Sequence, residues 1–331
     1  MLATKKYTAL LVFILFIFTS CVNTNIKDET PLPNTSTASP PLILTATTTE
    51  TPSPTLSPTA FPTIPTLTPE GAYALLLRML NENDTCRLPC WLDITPGTST
   101  HAEAYQKWAG FLIPSIDTVN PRKFYYDFEY SQNDFGYGIN NFEFNLNDEV
   151  IFMTTTYNLQ PNSDTIDSMN ITTHASKVVE NGIPKVFEST SYKKILDSYL
   201  LSNVLTKYGQ PEQILLSMEI LEGEPTSPDY FRIWLLYPSL GSIIEYWGNA
   251  EVEDGIIYGC PSDTLVSLWL FPPNNAEMYQ GTLIESMSEP YSAYYKPTEE
   301  ALGMTQEEFY NQFSKPNIPC IESPLDIWPL H

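Results

Sequence analysis

Basic residues are scarce in this chain. Sixteen Lys and Arg stand against 39 Asp and Glu, a formal net charge of −23 over 331 residues. Nucleic-acid affinity comes largely from Lys and Arg neutralising phosphates, so no nucleic-acid partner is expected. A polybasic grip on anionic lipid is excluded on the same ground. Histidine is scarcer still, with only His101, His174 and His331. The signatures of exported hydrolases are missing too: there is no Gly-x-Ser-x-Gly and no His-Glu-x-x-His. Ser191 and Lys194 match a Ser-x-x-Lys pair, but no Lys-Thr-Gly strand accompanies them. Neither EF-hand loop spacing nor another ordered ligand series is present. No catalytic residue, metal ligand or cofactor is therefore assigned. His101, in the first turn of an expected helix, and His174, in the polar stretch "MNITTHASK", read as surface residues.

Long apolar runs are also lacking. The longest sits at the N-terminus, where Lys5 and Lys6 precede the apolar segment Leu10 to Phe18, then Thr19, Ser20 and Cys21. A run this short reads as a secretion signal rather than a spanning helix. The ending "FTSC" resembles the lipobox of bacterial lipoproteins, although Phe18 replaces the usual Leu. That resemblance implies a lipoprotein signal peptide over residues 1–20 and a diacylglyceryl, palmitate-bearing Cys21. The expected location is the outer, extracytoplasmic face of the cell membrane. Removal of the signal takes away two lysines and no acid, leaving the mature chain near −25.

Residues 21–70 are mostly Thr, Pro and Ser, with too few large apolar groups to offset the entropy of folding. They are expected to form a disordered stalk, which proline holds extended to about 150 Å at ~3.1 Å per residue. Beyond it the expected fold class is α+β, two helix-then-antiparallel-meander units. The first spans 71–160, a connector 161–190, and the second 191–331 with a helical tail.

In the first unit, Tyr73, Leu76, Leu77 and Leu80 recur at helical spacing. Thr100 and Glu103 fit a capping box opening a helix that turns Ala104, Trp108 and Phe111 or Leu112 inward. "RKFYYDFEY" and "INNFEFNLNDEVIFMTTTYNL" read as strands, with a hairpin turn at Leu146 to Glu149. In the second unit one helix is expected from Ser191, presenting Ile195, Tyr199 and Val204 or Leu205 and stopped by Gly209 and Pro211. "QILLSMEI", "FRIWLLYPSLGSIIEYWG" and "DTLVSLWLFPP" follow as strands, and Thr305 with Glu308 makes a second capping box.

Without Cys21, four cysteines remain: Cys86, Cys90, Cys260 and Cys320. An even count in an exported protein is the signature of two disulfides, with three possible connectivities. The local pairing, Cys86 with Cys90 and Cys260 with Cys320, is expected because Pro89 turns the chain between the first two. The alternative for Cys86 and Cys90 is a soft-metal pair suited to Cu(I).

"ITPGTSTHAEAYQKW" and the later "LLSNVLTKYGQPEQI" resemble the helical start of the small α+β module of outer-membrane assembly lipoproteins and the β-lactamase inhibitory protein. The chain as a whole resembles bacterial surface lipoproteins built as lipobox, Thr/Pro stalk and a C-x-L-P-C-W start. The module resemblance implies protein binding on an open sheet face. Aromatics in "KFYYDFEY", "YWG" and "EPYSAYYKP" offer anchors for a protein or polysaccharide ligand. The expected function is a lipid-anchored, non-enzymatic binding module for protein or cell-wall polymer. Two alternatives stand beside it. One is an extracytoplasmic hydrolase using carboxylates from Asp127, Glu129, Asp134, Glu222, Glu224, Glu251, Glu253 or Asp254. The other is a metal-handling lipoprotein using Cys86 and Cys90.

Overall fold

A computed structural model describes residues 67–82, 85–111, 137–146, 149–161, 163–177, 190–220, 229–273, 275 and 294–329. The expected signal peptide, Cys21 and nearly all of the stalk lie outside these residues. So do the strand expected over 122–130, Asp127, Glu129, Asp134, Glu222, Glu224 and His331.

Each half opens with helices, and in the first half side-chain caps fix where they start. Helix α1 (Pro69–Leu77) starts at Thr68, whose hydroxyl accepts from the Gly71 amide at 3.2 Å, and continues as one π turn, Arg78–Glu82. Helix α2 (His101–Trp108) carries the expected capping box: the Glu103 amide donates to Thr100 Oγ1 and the Thr100 amide to Glu103 Oε2. Ala104, Trp108 and Phe111 are buried, as their spacing predicts.

The single helix expected from Ser191 is instead α3 (Thr190–Ile195), a 3-10 turn (Asp197–Tyr199) and α4 (Leu201–Tyr208). Asn81, in the π turn of the first half, supplies the break. It donates to the Ile195 carbonyl at 2.8 Å and accepts from the Ser198 amide at 3.1 Å, satisfying backbone groups that a continuous helix would pair internally. The break still buries Leu196, Tyr199 and Leu201.

The strands are β1 (Tyr137–Leu146), β2 (Glu149–Leu159), β3 (Ile166–Lys177), β4 (Gln213–Glu219), β5 (Asp229–Tyr237), β6 (Ser242–Glu253), β7 (Ile256–Gly259), β8 (Leu265–Leu270), β9 (Lys296–Pro297) and β10 (Ile321–Pro324). They form one antiparallel sheet in the order β1-β2-β3-β8-β6-β5-β4-β9. The far half of β6 pairs with β7, which pairs in turn with β10. Two meanders are therefore present, and they share a single sheet.

The seam is β3 against β8, Met169–Thr172 facing Leu270–Ser267. This corrects the assignment of 161–190 as a connector, since its residues 166–177 form the strand that joins the halves. It also corrects His174, which lies on β3 rather than in a loop. The stretch "MNITTHASK" lacks bulk, yet its β-branched residues suit a strand with partners on both sides.

Helices cover one face of this sheet. Ile151, Met153, Thr155, Tyr157 and Leu159 of β2 point into a core shared with Trp91, Trp108, Ile195, Leu205, Ile233, Tyr246 and Phe309. Tyrosines tie layers together. The Tyr192 hydroxyl accepts from the Val266 amide at 2.7 Å and bonds Thr173 Oγ1, bracing both sides of the seam. Tyr246 donates to the Tyr199 carbonyl at 3.1 Å and Tyr237 to the Gly209 carbonyl at 2.9 Å. Burial pushes each of these phenols up, keeping it protonated as a donor. In the tail, α5 (Thr298–Leu302) leads to α6 (Gln306–Phe313), which opens on the expected Thr305–Glu308 capping box.

Candidate functional site

The segment from Cys86 to Ile94 is a staple seated in the core. Cys86 and Cys90 form a disulfide with Cα atoms 5.1 Å apart, so neither sulfur presents a thiolate here. Trp91 and Ile94 exchange both backbone bonds, at 2.8 and 2.9 Å, making a two-residue hairpin. Its central residues, Leu92 and Asp93, both have positive φ, 46° and 64°. Such turns favour Asn-Gly, and a left-handed Leu costs roughly 1–2 kcal/mol. Surrounding contacts sustain it: Leu92 is fully buried, its carbonyl accepts from Trp108 Nε1 at 3.1 Å, and Lys107 Nζ donates to the Asp93 carbonyl. Among the described residues, Cys86, Cys90 and Asp93 are also the only trio with metal-ligand spacing, their ligand atoms within 4.8 Å of one another. The second disulfide, Cys260–Cys320, follows the expected pairing and joins the end of β7 to the start of β10.

His101 is buried, not on the surface. As the first residue of α2 it turns toward the sheet, where its Nδ1 lies 2.8 Å from the Tyr157 hydroxyl. Burial lowers its pKa, and Asp164 opposes that shift. Protonation therefore favours the unfolded chain, and stability is lost as pH falls from about 6.5 through the folded pKa. Urea midpoints measured across that window should fall with pH in the wild type. The expected slope is smaller in His101→Gln. Equal slopes would show that the imidazole takes up its proton as readily in the folded chain as in the unfolded one.

Three of the acidic residues singled out by composition fall among the described residues. Glu251, Glu253 and Asp254 stand exposed at the β6–β7 hairpin tip. The carboxylates drawn together are Glu219 and Glu245, which composition did not flag. Arg232 of β5 reaches Glu245 Oε1 at 3.1 Å and Glu219 Oε2 at 3.4 Å. Burial raises the pKa of Glu245 and Arg232 pulls it back down. Burial also acts against the Arg232 charge, but Glu245, Tyr295 and Glu219 hold its pKa above the usual value.

These residues lie on the sheet face opposite the helices. Register places Trp234, Glu245, Ser267, Thr172 and Thr154 in one row across the strands. The adjacent row runs Leu236, Ile243, Trp269, Asn170 and Thr156. The β4–β6 end is closed over: Trp234, Leu236, Ile243, Leu215 and Phe271 form a second small core. Trp234 stacks on Trp269 at 5.2 Å and 17°, and meets Tyr295 edge-on at 5.5 Å. Past the half-buried Trp269 the face opens. Thr172, Asn158 and Phe152 are exposed, and Thr154, Thr156 and Asn170 are half-exposed.

No family model, curated protein or solved structure matches the chain. Geometry alone therefore ranks its surfaces. A groove of about 630 Å³ runs along α1, lined by Leu67, Gly71, Ala74, Leu75, Leu77 and Arg78. Its wall is aliphatic with one cation. The open face of β2 and β3 combines hydrogen-bonding groups, an aromatic ring and rigid backing, and it is the stronger candidate.

Proposed function

We propose that the chain is a lipid-anchored, extracytoplasmic, non-enzymatic binding module that takes its ligand on the open face of the sheet. The observation that carries this reading is the uncovered β2–β3 face, bounded by the half-buried Trp269 and continuous with a closed core that fixes that ring. Two disulfides in a chain that opens on a basic-apolar-Cys21 segment support export. Helices followed by an antiparallel meander, twice over, are in keeping with the resemblance to the assembly-lipoprotein and inhibitory-protein module. The hydrolase reading receives less support, because Arg232 engages both Glu219 and Glu245 and neutralises part of their charge.

The test has two arms. In an exporting bacterium, Cys21→Ser should move the protein from the membrane pellet to the soluble fraction. The purified full chain, in mild detergent, should co-sediment with envelope material stripped of its own lipoproteins and release no soluble fragments from it. Failure to sediment removes the binding reading, and fragment release replaces it with hydrolysis.

A further inference from the structure

The exposed positions of β2 and β3 contrast with the rest of the chain. Among 39 acidic and 16 basic residues, none falls on the outward positions of β2 from Phe152 to Asn158, nor on those of β3 from Asn170 to Thr172. Outward strand positions of an acidic protein ordinarily carry charge, which maintains solubility. Here they carry Thr154, Thr156, Asn158, Asn170 and Thr172, with Phe152 beside them. Each of the five polar side chains has both donor and acceptor capacity and no charge.

Two further features give this surface a shape. Cross-strand neighbours hold their Cβ atoms about 5 Å apart, so the groups form a rigid lattice rather than a mobile fringe. Trp269 shares a row with Asn170 and Thr156. Its ring is pinned by the stack on Trp234, itself wedged by Tyr295. The result is a fixed aromatic plate beside neutral hydrogen-bonding groups.

A neutral glycan fits that chemistry. Its sugar rings offer an apolar C–H face to an indole and a rim of hydroxyls to Thr and Asn. A protein partner fits less well. Interface cores favour aromatic, Met and Arg side chains, and burying hydroxyls and amides against an apolar surface leaves them unpaired at about 1–3 kcal/mol each. A polyanion fits worst, since the chain is strongly acidic and this lattice holds no cation.

Resting on the binding reading above, we infer that the open β2–β3 face is a neutral-polysaccharide site. A sugar stacks on Trp269 and the glycan extends across the strands over Asn170, Thr156, Thr172 and Thr154.

The test uses the full chain in detergent with insoluble cellulose, chitin and starch, and with gels containing soluble mannan or dextran. Retention on at least one of these is expected. It should survive about 1 M salt, where charges are screened within ~3 Å. Trp269→Ala should weaken it roughly 30-fold, as for a residue at the centre of a binding surface. Thr172→Glu, at an exposed position, should weaken it comparably with an unchanged urea midpoint, which separates binding from folding. Retention unaffected by Thr172→Glu would overturn the placement of the site. Envelope binding without retention on any neutral glycan, abolished by protease treatment of the envelope, would overturn the glycan inference and leave a protein-binding module. Loss of both envelope and glycan binding would remove the binding reading itself.

Discussion

Trp91→Ala is expected to lower folding stability by about 3–5 kcal/mol, the range for deleting a large aromatic from a packed interior. The indole is 1% exposed and its ring meets Tyr199 edge-on at 5.2 Å. It also donates from Nε1 to Thr155 Oγ1 at 3.1 Å, and Thr155 is fully buried. Truncation opens a cavity between the two halves and strips that hydroxyl of a donor. It also frees a turn whose left-handed Leu92 depends on a tightly filled site. Trp91→Phe keeps most of the volume and loses the hydrogen bond, so it should fall between wild type and alanine. Urea unfolding followed by far-UV circular dichroism gives the order. Equal losses in Trp91→Phe and Trp91→Ala would show that the hydrogen bond, not the packing, dominates.

The two disulfides should contribute unequally. Loop-closure entropy predicts ~4 kcal/mol for a bridge spanning 60 residues and ~2 kcal/mol for one spanning four. Replacing Cys260 and Cys320 together by Ala should thus cost more than replacing Cys86 and Cys90. The long bridge also stands beside the Ile321–Gly259 pair that starts the β10–β7 ladder. Its loss releases the tail toward the chain end, and α5 and α6 should become the first segments to exchange amide hydrogens. Denaturation midpoints of the two double variants decide the matter. The reverse order would show that the short bridge acts mainly by holding the Leu92–Asp93 turn, outweighing chain entropy.

What could be read in advance follows from how local each signal is. Capping boxes at Thr100 and Thr305 need only four residues, and both formed as expected. Alternating or continuous apolar runs identified β1, β2, β4, β5, β6 and β8, because such a pattern is written into a single strand. The break between α3 and α4 was hidden, since its cause, Asn81, lies more than a hundred residues away. Strand β3 was missed for a related reason: a Thr-rich segment becomes a strand when β2 and β8 pair with it. His101 was misread because a capping position says that a residue sits in the first turn, not which way that turn faces.

The site was less legible than the fold. Alternation marks Thr154 and Thr156 as outward, but nothing local says whether outward means solvent or a second layer. Glu219, Arg232 and Glu245 come from three strands, so no spacing along the chain foretells their meeting. The cysteine pairing was accessible because exported chains oxidise evenly numbered thiols. The lone buried side-chain atom without a hydrogen-bond partner among the described residues, Trp234 Nε1, has no sequence signal at all.

The seam between β3 and β8 has a temporal consequence. A chain exported N-terminus first delivers β3 well before β8, since Ile171 must wait for Leu268 to emerge. On the proposed export route, the first meander would stand on the far side of the membrane during that interval with an unclosed strand edge, the form in which sheets recruit wrong partners. Its outward Thr and Asn residues remain wetted and keep that waiting half dispersed. If the chain is exported as proposed, secretion rather than folded-state stability is where substitutions of these threonines by aliphatic residues would do their first damage.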